Sequence, residues 1–230
     1  MTDTRTWAET EPTTPPANSP VDAPTYGAGE IAYALSLAED PIRAQAEKFL
    51  QVRPGFVTDQ TAALGASSLV ARGELTVDTD GDTLTPTGGI RLLIALIQTA
   101  ERWTEMAMMN EGGVEAALYV QSPELSVLLS PGAMSTWTMV VKSPAFTDAE
   151  FLAQVVRENA SLHPLGTAYL GTEVLGSEKH HFFVRRDPDS LGSPRWELAD
   201  PEATGDGRSD GVDDAELLVR LAAFTALPSA

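Results

Sequence analysis

Cysteine is absent from the 230 residues, which excludes a disulfide framework and any thiolate metal site. Histidine is scarce as well, occurring only as His163, His180 and His181. His180 and His181 are adjacent in a predicted strand, so they face opposite sides of a sheet and cannot chelate one metal. Positive charge is the third shortage: 15 basic residues stand against 33 acidic ones, a formal net charge of -18. A general nucleic-acid binder needs the opposite sign on its phosphate-facing surface. Such acidity serves solubility and mutual repulsion instead. No apolar run approaches the roughly 20 residues that span a bilayer. The opening MTDTRTWAETEPTT lacks the basic-then-apolar pattern of a secretory signal, so the expected location is the cytosol.

Motifs for chemistry are missing too. No serine sits in a Gly-x-Ser-x-Gly elbow, and there is neither a phosphate loop ending in Gly-Lys-Ser/Thr nor a G-x-G-x-x-G fingerprint. Asp78, Asp80 and Asp82 flank Gly81 at alternate positions, but Thr87 stands where a calcium loop places its bidentate glutamate. A hairpin turn is the better reading. No catalytic residue, metal ligand or cofactor is assigned, and a non-enzymatic role is expected.

What is present is clear structural patterning. Residues 1–27 are rich in Thr, Pro and Glu and cannot bury enough apolar surface to offset ordering, which predicts a disordered tail. Short helices follow around Ile31 and Leu35, then from Asp40-Pro41 with Ile42, Ala46, Phe49 and Leu50 on one face, until Pro54-Gly55 breaks the run. Thr58 or Asp59 caps a third helix, in which Gly65-Ala66-Ser67-Ser68 reads as a small-residue packing face and Gly73 as the stop. Asp80-Gly81 turns the chain between strands at Glu74–Val77 and Thr83–Thr85. Thr85 then reads as an N-cap, with Pro86 in the first turn of a buried helix carrying Ile90, Leu93, Ile94 and Ile97.

After that helix the apolar period falls to two. Strands are predicted at Arg102–Met109, Val114–Gln121, Glu124–Ser130 and Thr136–Lys142, and their short connectors make them an antiparallel meander. In Phe146-Thr147-Asp148-Ala149-Glu150-Phe151, Thr147 and Glu150 form a capping box that opens a helix to about Ala160, with Phe146 and Phe151 as a staple. Two further strands, Gly166–Leu175 and Lys179–Arg186, and a short third at Arg195–Leu198 precede an acidic loop at 200–212 and a last helix with Leu217, Leu218, Leu221 and Phe224. The expectation is an α+β fold: a central antiparallel sheet with helices on one face and a helix-hairpin-helix unit near the start. Residues 28–230 read as one domain, with a coarse echo between 28–142 and 143–230.

The central stretch supports two resemblances. LVARGELTVDTDGDTLTPTGG resembles the wing of winged-helix regulators, which implies DNA binding as the alternative function. The helix before the wing, however, offers DNA only Gln60 and Arg72. More of the chain is covered by Leu69, Arg72 and Gly73, then Asp80, Gly81, Leu84 and Pro86, then Leu92 to Arg102 feeding strands up to Lys142. In this the chain resembles the EspG-type chaperones associated with ESX (type VII) secretion in actinobacteria. The resemblance implies a cytosolic chaperone for a helical secreted partner, PE/PPE-like or WXG100-like, bound through one sheet face and nearby loops. Tyr119 and Trp137, aromatics on the meander, are the candidate partner-binding residues, because aromatics are frequent interface anchors.

Overall fold

The computed structural model describes residues 23–78, 83–190, 193–200 and 208–226. In chain order the first part comprises β1 (Thr25–Tyr26), α1 (Ala28–Ser36), α2 (Asp40–Phe49), α3 (Asp59–Ala71), β2 (Leu75–Val77), β3 (Leu84–Pro86) and α4 (Gly88–Thr99). A meander follows: β4 (Arg102–Asn110), β5 (Gly113–Gln121), β6 (Ser126–Pro131) and β7 (Trp137–Val141). The remainder is α5 (Asp148–Leu162), β8 (Thr167–Val174), β9 (His180–Arg186), β10 (Trp196–Ala199), β11 (Arg208–Val212) and α6 (Asp214–Thr225). The fold is α+β. Apart from the small β2-β3 hairpin, the strands form one antiparallel sheet in the order β1-β7-β6-β5-β4-β8-β9-β10-β11.

Helices cover both faces of this sheet, not one. Alternation along β5 shows why: Leu118 and Val120 enter one core, while Tyr119 between them enters the other. The first core packs α1, α2 and α4 on Trp103, Val127, Leu129, Trp137 and Met139. Its centre is Trp103, stacked on Phe49 with ring centroids 5.5 Å apart. The second core packs α5 and α6 on the opposite face, over Met106, Leu170, Phe182, Val184 and Trp196. β4 and β8 pair along the seam between the two halves of the sheet, and the second layer reaches across it to Tyr119 of β5.

α3 packs across α1, with Gly29 against Gly65 where the two helices cross. Beneath that crossing lies a buried polar network. Glu30, 5% exposed, accepts from the Gly27 amide at 2.8 Å, the Ser68 hydroxyl at 2.7 Å and Arg72 at 3.0 Å. Arg72 also holds Glu74 at 2.7 Å, and Glu74 accepts the Tyr26 hydroxyl at 2.8 Å and the Ile90 amide at 2.9 Å. Burial, then the Glu74 hydrogen bond, raises the Tyr26 pKa. One ion-paired chain thus ties α1, α3, the hairpin and the first turn of α4 together.

Several expectations shift. Residues 1–22 of the predicted tail lie outside the described residues, but 23–27 are not disordered: β1 pairs with β7 and Tyr26 is fully buried. Pro86 belongs to β3, and Thr87 is the N-cap of α4, because its amide bonds back to the Glu74 carbonyl at 2.9 Å. Of the loop expected at 200–212, residues 201–207 lie outside the described residues, and 208–212 form β11 against β10. The hairpin tip with Asp80, Gly81 and Asp82 also lies outside them. Among the described residues no helix is long and apolar enough to cross a membrane.

Candidate binding cleft at Trp137

β7 begins where the chain leaves a tight turn. Gly132 donates to the Thr136 carbonyl at 2.8 Å and Thr136 Oγ1 to the Ala133 carbonyl at 2.9 Å. This closure puts Met134 and Ser135 at φ 56° and 58°, left-handed conformations uncommon for residues with a side chain, and leaves Met134 94% exposed. Across from it, α2 ends in a Schellman motif. The Val52 amide reaches the Glu47 carbonyl at 2.9 Å and the Gln51 amide the Lys48 carbonyl at 3.3 Å, so Gln51 takes the left-handed position (φ 53°) that glycine usually fills. Among the described residues, these are the non-glycine positions with positive φ, and all three stand at one place.

Between the two turns and α1 lies a cleft of about 490 Å³. Ile31, Leu50, Val52, Phe56 and Trp137 make its apolar wall; Gln51, Arg53, Ser135 and Thr136 give it a polar mouth. Its size falls in the range of roughly 300–1,000 Å³ usual for ligand sites. Among the described residues no carboxylate lines it, although the chain is strongly acidic. Strain of this kind, costing on the order of 1 kcal/mol per residue, concentrates at ligand clamps.

The two candidate binding residues do not form one surface. Trp137 is 8% exposed and borders the cleft. Tyr119 points through the opposite face and is fully buried, so it is a core residue and not an exposed anchor. Its ring stacks on Phe151 at 5.3 Å and its hydroxyl donates to Asp148. Burial, followed by that hydrogen bond, raises its pKa. The pairing follows from α5 crossing this face, whereas sequence alternation alone left the face open. Gln51, Arg53, Phe56, Ser135 and Thr136 were not anticipated as neighbours of Trp137. Pro54-Gly55 and Pro131-Gly132 advertised turns, but no local signal says that two turns distant in sequence meet.

A smaller hollow of about 350 Å³ lies over β9 and β10, lined by Phe183, Arg185, Glu197 and Ala199, with Arg185 and Glu197 paired at 2.6 Å. The histidines diverge as alternation requires: His180 Nε2 meets Asp200 at 2.9 Å and His181 Nδ1 meets the Tyr169 hydroxyl at 2.9 Å. Arg72, the cation at the end of α3, is held by Glu30 and Glu74. Compared with protein-family models and with curated proteins, the chain matches none.

Proposed function

We propose that the protein is a non-enzymatic cytosolic binding protein, an EspG-like chaperone that holds a helical segment of a type VII secretion substrate of PE/PPE-like or WXG100-like build. The observation that carries this reading is the cleft at Trp137: an apolar trough with a polar mouth, shaped by strained turns and lined by no described acidic group. The residues behind the EspG resemblance support it in a structural role. Leu69 is fully buried, Arg72 anchors the ion-paired network, and Gly73 takes φ 76° at the end of α3. They hold up the scaffold.

The test is co-expression with helical secretion proteins of the host, followed by size-exclusion chromatography with light scattering. A stoichiometric complex that Trp137→Ala weakens at least tenfold, without loss of fold, supports the reading. Absence of any complex with such proteins sinks it.

A further inference from the structure

We propose that the Trp137 cleft recognises a large apolar side chain together with a carboxylate one helical turn away on the same partner segment, with Arg53 receiving the carboxylate. The inference rests on the binding role proposed above and specifies the chemistry of what is bound. Arg53 is the one charged residue lining the cleft, and no described carboxylate lies within ion-pair distance of it. Arg43, Lys48, Arg72, Lys179 and Arg220, by contrast, each hold a carboxylate of their own chain.

Acidic residues outnumber basic ones about two to one, yet none of the described ones lines this mouth. An anionic group is repelled by the net charge of the chain and met by a cation at this mouth, which gives local charge complementarity. A guanidinium stays charged at any ordinary pH and presents a planar fork suited to a carboxylate. Its neighbour Gln51 carries a side-chain amide able to donate to the second carboxylate oxygen. Below them Ile31, Leu50 and Phe56 offer an apolar side chain the same surroundings that Trp137 already has. Gln51 and Ser135, both in left-handed conformations, each line the cleft from one of its two turns. An apolar anchor beside an acid on one helix face satisfies both parts of the site at once.

The probes are two acetylated and amidated alanine-based helical peptides. One carries a leucine and, one turn on, a glutamate; the other carries glutamine in place of the glutamate. Binding is followed by fluorine NMR of the full chain labelled with fluorotryptophan, the Trp137 signal being assigned with Trp137→Phe. The glutamate peptide is expected to shift the Trp137 signal saturably and to bind about fivefold tighter than the glutamine peptide, the effect of one solvent-accessible ion pair. Arg53→Gln should equalise the two while the buried Trp103 and Trp196 signals stay in place, showing an intact fold. Equal binding of the two peptides by the unaltered protein, a preference that survives Arg53→Gln, or no Trp137 shift at millimolar peptide overturns the proposal.

The chaperone reading stands or falls separately. If helical secretion proteins co-purify but the peptides are not distinguished, only the carboxylate inference is lost. If the glutamate peptide is preferred but no such protein co-purifies, the carboxylate inference stands and the chaperone reading is lost.

Discussion

A Cβ placed on Gly65 would stand 1.9 Å from the Gly29 carbonyl oxygen, a contact that backbone cannot relieve without moving a helix. Gly65→Ala should therefore cost about 1–3 kcal/mol through overpacking, even though alanine favours helix, and urea denaturation will show it as a lower midpoint with unchanged slope. The neighbouring network makes a second demand. Arg72→Leu strands the Glu30 carboxylate beneath α3, where solvent hardly reaches, and should destabilise by about 3 kcal/mol. Glu30→Gln, which keeps an acceptor for Ser68, should cost less. A thermal melt in which the two variants are equal would show that the charge pair is not what matters. Residues at this scale were partly legible. Gly65 announced itself as a packing glycine and Gly73 as a stop, because each requirement is local. Glu30 did not, because its burial depends on α3 folding back over α1. Tyr119 was misplaced for the same reason: whether a strand residue is covered depends on a helix that arrives later in the chain.

Helix α5 begins at the best local signal in the chain, and the signal is realised. Thr147 Oγ1 accepts from the Glu150 amide at 3.2 Å, while Glu150 accepts from the Thr147 amide at 2.8 Å. The staple differs: Phe151 stacks on Tyr119, and Phe146 is left 43% exposed. Thr147→Ala should lower stability by about 1 kcal/mol at neutral pH. The Thr147 amide, and then its hydroxyl, hold the Glu150 pKa below its ordinary 4.5, and Thr147→Ala removes only the hydroxyl's share. A depressed carboxyl stabilises the fold above its ordinary value and loses that contribution as pH falls through the folded one. The penalty of Thr147→Ala should accordingly shrink in melts taken below pH 4.5. At the other end of the fold, Arg102 and Gln121 serve α6. They donate to its last carbonyls, Phe224 at 3.0 Å and Thr225 at 3.1 Å, where the helix end favours a cation. Periodicity revealed the long strands and every helix of the described chain. It missed β1, which has only two residues between Pro24 and Gly27, and β11, whose Arg208, Asp210 and Gly211 read as loop.

Across the whole molecule, sheet order is the feature that sequence conveyed least. Short connectors fixed β4 to β7 as neighbours, but nothing local says that β8 lies against β4 rather than beyond β7. The cores on the two faces also set a response to alkali. Tyr26 in one and Tyr119 in the other have pKa values raised above the ordinary 10.0, chiefly by burial. A phenol shifted upward contributes its stability fully below the ordinary value and loses it as pH climbs beyond. Stability should fall steeply above pH 10. Tyr119→Phe should lower stability at pH 8 by about 1 kcal/mol, since Asp148 loses a donor, and should flatten the alkaline decline. An unchanged alkaline slope in that variant would show that Tyr119 ionises freely in the folded protein.

The seam at β4 also bears on synthesis. β4 is paired along one edge by β5, its successor in the chain, but its other edge must wait for residues 167–174 to leave the ribosome. Until then a row of unsatisfied amides and carbonyls, flanked by Met106 and Met108, is a template for a second nascent chain. A truncated protein ending at Ala145 should therefore self-associate through β4, whereas adding the segment through Val174 in trans should return it to a monomer.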